Sequence, residues 1–248
     1  MDPRQYFAPA GLLEDRVILV TGAGAGIGRA AANTFAGYGA SVILCGRTTA
    51  KLEQVYDEIV AGGAPQPAIA PLCLETATEH DYRALGERAR AEFGRIDGLL
   101  HNAGLLGERT SIANYSATSW NRVLQVNLTA GFLLTKALLP ALRESPSASV
   151  LFTSSGVGRR GRAYWGAYAV SKFGVEGLSQ VLAAELEQTS NIRVNCINPG
   201  ATRTAMRAAA YPAEDPLTLK TPEQIMPAYL YLMGPDSQGV TGASVDAQ

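Results

Sequence analysis

The chain is short of the residues that build metal centres, disulfide frameworks and membrane anchors. It has three cysteines, Cys45, Cys73 and Cys196, far apart in sequence and each inside an apolar run. The count is odd and no pair has metal-ligand spacing, so the expectation is buried free thiols in a reducing compartment and no metal site. Histidine is scarcer still, with His80 and His101 the only two. Charge of one sign is missing: 21 Lys and Arg against 22 Asp and Glu leave a formal net charge of −1. That balance gives no general attraction for nucleic acid or an anionic membrane. The opening residues Met1 to Phe7 lack the apolar core of a signal peptide. The most apolar long stretch, Val123 to Leu142, is broken by Gln125, Asn127, Lys136 and Pro140, which reads as a buried helix and not a membrane span. A cytoplasmic protein with no membrane and no nucleic-acid partner is expected. Repeats, low-complexity tracts and linkers are also absent, so residues 1–248 are expected to form a single domain.

What the chain does have is alternation. Short apolar runs, Val17–Val20, Ser41–Cys45, Ala68–Leu74, Ile96–His101, Ser149–Ser154 and Ile192–Ile197, are separated by helical patterns. The first helix runs through Ile27, Ala31 and Phe35 to Gly37 or Gly39, and the next repeats Leu52, Val55, Tyr56 and Ile59. Further helices centre near residues 85, 130, 178 and 227, the last with Thr221 as N-cap and Pro222 at its first position. Continuous apolar strands alternating with helices mean an α/β fold, a doubly wound, Rossmann-like parallel sheet of about seven strands with helices on both faces. Ligands then sit at the carboxyl ends of the strands. Gly200 to Lys220 carries Pro212 and Pro216 without an apolar period, and reads as a substrate lid over about 200–220.

Two local patterns carry chemistry. Thr21-Gly22-Ala-Gly24-Ala-Gly26-Ile27-Gly28 joins the first strand to the first helix. It fails the Gly-x-Gly-x-x-Gly spacing, yet Gly22-x-x-x-Gly26-x-Gly28 meets the same need: missing Cβ atoms let backbone N–H groups approach a pyrophosphate at a helix N-terminus. Tyr168 and Lys172 lie one helical turn apart on a shared face. A nearby ammonium favours the phenolate, although such a pair alone is usually only a solvated surface.

Together with His101-Asn-Ala-Gly104, Asn127, Ser155 and Asn198-Pro-Gly200, these motifs occur in an order that resembles the short, single-domain branch of the short-chain dehydrogenase/reductase family, from about Leu12 to Val245. The chain is similar to bacterial 3-oxoacyl-carrier-protein reductase-like members. The resemblance implies an enzyme transferring hydride between a nicotinamide and a carbonyl or secondary alcohol, with a small-molecule or acyl-thioester substrate. A cofactor-binding sensor or scaffold without turnover is the alternative on the same fold.

The resemblance assigns the residues as follows. Tyr168 exchanges the proton, Lys172 lowers its pKa and binds the nicotinamide ribose, and Ser155 binds the substrate oxygen, with Ser154 as the neighbouring alternative. Asn127 either makes a structural hydrogen bond or holds a water that links the lysine to solvent. Thr21, Gly22, Gly24, Gly26, Ile27 and Gly28 form the phosphate turn. Asn102, Ala103 and Gly104 line the nicotinamide side, and Ile197 and Thr204, flanking Pro199 and Gly200, hold the carboxamide. The second strand ends in Gly46-Arg47, without the acid that binds an adenosine ribose, so NADP(H) is favoured over NAD(H). Glu75 is the only acid near the adenine position after the third strand. His101 reads as a packed neighbour of the site.

Arg159, Arg160 and Arg162 lie between Ser155 and Tyr168, with Arg203 and Arg207 on the lid. They form either a basic rim for an anionic substrate or carrier, or ordinary solvated and salt-bridged surface. Trp165 and Tyr164 are either an apolar wall or core. A homodimer or homotetramer is implied by the resemblance, through the apolar helices Leu128–Leu142 and Val175–Leu186.

Overall fold

Apolar runs with no polar face must be covered on both sides, and in the computed structural model, which describes residues 2–248, they lie in the middle of a parallel sheet. Its strands are β1 (Val17–Thr21), β2 (Ser41–Gly46), β3 (Ala68–Pro71), β4 (Gly98–His101), β5 (Ala148–Thr153), β6 (Ile192–Asn198) and β7 (Ser244–Asp246). They pair in parallel in the order β3-β2-β1-β4-β5-β6-β7, so the expected seven-stranded, doubly wound sheet is the one observed. The order reverses between β1 and β4, which opens a crevice at the carboxyl ends of those strands.

The helices are α1 (Gly26–Gly37), α2 (Thr49–Ala61), α3 (Glu79–Phe93), α4 (Ala117–Leu124), α5 (Ala130–Arg143), α6 (Gly166–Leu186), α7 (Ala205–Ala210) and α8 (Met226–Met233). Side chains alternate across each strand, so β1 sends Ile18 and Val20 to one core layer and Val17 and Leu19 to the other. The first layer holds Phe35, Leu52, Val55 and Tyr229 from α1, α2 and α8. The second holds Tyr82, Leu134, Leu138 and Val175 from α3, α5 and α6.

A π turn at Gln125–Thr129 joins α4 to α5. The combined stretch Ala117–Arg143 is long and apolar enough to cross a membrane by length and composition. Its inner face is nonetheless built into the second core layer, and α3 approaches so closely that a Cβ on Gly86 would lie 2.5 Å from the Ala137 carbonyl oxygen.

Three elements differ from the pattern reading. β3 ends at Pro71 and not Leu74, because the Cys73 carbonyl accepts from the N–H groups of Thr76 and Ala77 and closes a turn. The Thr221 hydroxyl caps nothing; instead the Gln224 side chain accepts from the Thr221 N–H at 2.8 Å, ahead of a 3-10 turn at Glu223–Ile225 that leads into α8. The segment expected to be a lid contains a helix, α7, whose N-cap Thr204 accepts from the Arg207 N–H at 3.1 Å.

Candidate active site

The glycine turn is a cradle that only glycine can form. Gly22 (φ +67°) and Gly26 (φ +54°) occupy left-handed backbone, and a Cβ on Gly28 would lie 2.2 Å from the Gly22 carbonyl oxygen. The Thr21 hydroxyl accepts from the N–H groups of Asn102 and Ala103 at 3.0 and 3.1 Å, fixing the end of β1 to the chain leaving β4. Below this junction a cavity of about 430 Å³ follows the carboxyl edge of the sheet.

Thr21, Gly22, Gly24, Gly26, Ile27, Arg47, Asn102, Ala103, Gly104, Ser155, Tyr168, Lys172, Pro199, Gly200 and Thr204 all line this cavity. Three expected residues do not. Gly28 stands behind the turn and permits its curvature. Ile197 is a correction: it is fully buried in β6 within the core, and its carbonyl accepts from the Ser154 N–H at 2.7 Å. Thr202, which the reading missed, lines the cavity in its place, with its hydroxyl on the Pro199 carbonyl at 3.0 Å. Asn127 lies one layer deeper.

At the end expected to hold the reaction, the chain after β5 and helix α6 bring Ser155, Tyr168 and Lys172 to one cavity. Burial raises the Tyr168 phenol above its ordinary pKa, and a hydrogen bond with Ser155 acts in the opposite sense. Lys172 is not the group that lowers it here. Its Nζ donates to the Thr153 carbonyl at 2.7 Å and sits 5.6 Å from the Tyr168 ring centroid, and burial brings the ammonium down to about 8. Ser154 points elsewhere, donating to buried Glu176.

Asn127 sits in the π turn, whose widened backbone directs it inward. Its Oδ1 accepts from the Leu105 N–H at 2.7 Å, and its Nδ2 donates to the Leu105 carbonyl at 2.9 Å and to Ser171 Oγ at 3.0 Å. The structural hydrogen bond is therefore present. A small cavity of about 10 Å³ also borders both Asn127 and Lys172. His101 stacks on Phe152 at 4.5 Å, with Nε2 2.8 Å from Thr135 Oγ1. That hydroxyl donates to the Gly131 carbonyl, so the ring keeps a proton on Nε2, and burial holds its pKa at about 3. It is a neutral packed neighbour, as the sequence suggested.

At the far end, Gly46 and Arg47 close β2 without a carboxylate, and Lys51 joins Arg47 on the cavity wall. Glu75 also lines the cavity, while its carboxylate pairs with Arg122 at 2.8 Å. Cys45 and Cys196 are buried, whereas Cys73 is partly exposed on this wall. The elongated shape, the glycine cradle at its waist and the cations at one end fit a dinucleotide.

The expected basic rim is mostly spent on internal bonds. Arg159 pairs with Asp246 at 2.7 Å and donates to Ser244, bracing β7. Arg203 donates to the carbonyls of Pro216, Leu217 and Leu219, and Arg207 makes two 2.6 Å bonds to Glu214. Trp165 forms part of the cavity wall, while Tyr164 (φ +69°) turns out to solvent.

A family model of short chain dehydrogenases matches residues 16–215. The chain belongs to the short-chain dehydrogenase family. The uncharacterized Escherichia coli oxidoreductase YciK is 55% identical over 237 residues, 96% of this chain and 93% of that protein. A short chain dehydrogenase structure from Pseudomonas syringae superposes with a TM-score of 0.97 at 57% identity, covering 98% of this chain and 99% of that one. Another, from Shigella flexneri and complexed with NADP, gives 0.94 at 54% identity, covering 97% and 100%. The chain is thus an oxidoreductase of this family, and the turn, the Tyr168–Lys172 pair and Ser155 occupy one cavity in it.

Proposed function

We propose that this short-chain dehydrogenase is an NADP(H)-dependent reductase that converts a carbonyl to a secondary alcohol, and reverses the reaction when alcohol is in excess. The observation that carries this reading is the convergence of Ser155, Tyr168 and Lys172 on the cavity that also holds the glycine turn. Bound there, NADPH supplies a hydride to the carbonyl carbon. The chain's own residues do the rest. Backbone N–H groups of the turn and the start of α1 hold the pyrophosphate. Arg47 and Lys51 meet the 2′-phosphate, which no acid at the end of β2 repels. The NADP complex of the Shigella relative supports the same choice. Ser155 Oγ donates to the substrate oxygen, and Tyr168 Oη gives its proton to that oxygen as the alkoxide forms. Lys172 holds the ribose and recharges the phenol. A small cavity borders both Lys172 and Asn127, and a water held there would return a proton to the lysine.

The test is NADPH absorbance followed across a panel holding both compact ketones and a 3-oxoacyl thioester, the substrate class the family resemblance suggests. Tyr168→Phe is the control; turnover that survives unchanged in it overturns the reading, and NADPH binding without any turnover identifies a scaffold.

The same reading includes self-association. Val170, Phe173 and Val181 are exposed along one side of α6, Gly177 between them faces open space, and Phe132 is exposed on α5. This apolar stripe is the surface on which a second copy packs.

A further inference from the structure

Tyr168 sits under a small apolar cluster separate from both core layers, formed by Val157, Trp165 and Ala169 with Leu106 and Tyr211 against them. Trp165 is buried and tilts over Tyr168 at 5.6 Å and over Tyr211 at 6.0 Å. The cluster touches the lid through Ala210 and Tyr211, and a further side chain ties the two together. The Arg109 guanidinium lies 4.1 Å over the Trp165 ring and 5.6 Å from that of Tyr211, and its Nη1 donates to the Ala210 carbonyl at 3.1 Å. Ala210 is the last residue of α7, so Arg109 reaches from the loop after β4 to the helix of the lid.

The base of this latch is stiff. The Tyr115 hydroxyl accepts from the Glu108 N–H at 3.1 Å. Its ring fills the space beside Gly107 (φ +68°) and Gly166 (φ +33°), where a Cβ would lie 2.4 Å from Tyr115 atoms in each case. The loop carrying Arg109 and the turn carrying Trp165 are therefore packed on one ring. Among the described residues Arg109 pairs with no carboxylate, so its charge is satisfied by two π faces and one carbonyl. Arg159, Arg203 and Arg207 are engaged as well, while Arg160 and Arg162 are exposed and line no part of the cavity. Burying an unpaired anion there is costly, whereas a flat apolar body stacks on Trp165 at no such cost.

We propose that Arg109 is a specificity-determining positioning residue: it latches the lid over Tyr168, so that the chamber takes a compact, uncharged, apolar ketone in preference to a coenzyme- or carrier-bound acyl thioester. The proposal rests on the reductase reading for its chemistry, with hydride to the carbonyl carbon and the Tyr168 proton to its oxygen, but not for its geometry.

Acetophenone and acetoacetyl-coenzyme A are the two probes, used with NADPH on wild type, Arg109→Leu and Arg109→Lys. Wild type is expected to prefer acetophenone in kcat/KM. Arg109→Leu is expected to raise KM for acetophenone about tenfold with kcat changed by less than about twofold, and to narrow the preference. Arg109→Lys keeps the charge but loses the planar fork, and is expected to behave like Arg109→Leu. NADPH affinity by calorimetry should be the same in all three. A second arm reads the chamber without turnover: in a Trp120→Phe background, acetophenone quenches Trp165 fluorescence, and does so more weakly in both Arg109 variants. Wild-type preference for acetoacetyl-coenzyme A, or a wild-type KM for acetophenone in Arg109→Lys, overturns the proposal, the latter by showing that the planar guanidinium latch is not what sets ketone binding. Quenching that ignores Arg109 overturns the latch while leaving the reductase reading intact. Unchanged turnover in Tyr168→Phe does the reverse.

Discussion

The Lys172 ammonium rests 2.7 Å from the Thr153 carbonyl oxygen, a cation buried at the end of β5 that forms no ion pair among the described residues. Burial lowers its pKa from 10.5 to about 8. Between those values the unfolded chain binds more protons than the folded one, so this group makes stability rise with pH across that window, and its full cost is present below pH 8. Lys172→Met removes the charge and should stabilise the cofactor-free protein at pH 7 by on the order of 2 kcal/mol, after the lost hydrogen bond. The gain in melting temperature should shrink from pH 8 to 10.5, while turnover falls by about 100-fold or more. Thermal denaturation across that range checks both signs; a gain independent of pH contradicts the assignment.

Ser155 is the group that pulls the Tyr168 phenol down against the effect of burial. Removing it in Ser155→Ala should move the acid-side limb of the alcohol-oxidation profile, where Tyr168 must lose its proton to act as base, to higher pH, as well as slowing turnover. Tyr168→Phe should lose about 1,000-fold in kcat at unchanged NADPH affinity. Steady-state pH profiles and calorimetry measure these effects separately.

Gly28 faces the Gly22 carbonyl with no room for a methyl group. Gly28→Ala should lower stability by about 1–3 kcal/mol and abolish measurable NADPH binding, because the turn must open to admit the Cβ. Gly37, which has nothing within 4 Å, is the control: Gly37→Ala should leave cofactor binding unchanged.

Arg47 lines the end of the cavity proposed to receive the 2′-phosphate. Arg47→Asp should weaken NADPH and improve NADH, changing the ratio of their kcat/KM values by about 100-fold. An unchanged ratio assigns the selection to another residue.

Phe173 and Val181 lie on the exposed stripe of α6. Phe173→Glu with Val181→Glu should shift sedimentation to a monomer without unfolding the chain.

The parts of the site that could be read in the sequence are those whose chemistry is local. The glycine turn is legible because strand, glycines and helix are contiguous, and Tyr168 and Lys172 because a helical turn brings them together. Ile197 misled because strand alternation sends it to the core, and the cavity-facing residue, Thr202, comes only after the chain has left β6. The fate of Arg159 was hidden because its partner Asp246 lies 87 residues away. Arg109 carries no local signature at all, since Ala210 meets it across 101 residues. α7 was missed because its alanine run shows no apolar period, although Thr204 was a visible cap.

The strand order has a consequence for how the protein is made. β1 is paired first with β2, β2 with β3, and β4 then takes the open side of β1, followed outward by β5, β6 and β7. No strand has to be inserted between two already paired, so each can dock on a free edge as it leaves the ribosome. The phosphate cradle is complete in outline once β4 has docked, whereas the braces on Asn198 and Arg159 wait for Asp246 of β7. The cradle is thus drawn from the first hundred or so residues of the chain, while the braces at the other end of the cavity come from its last few.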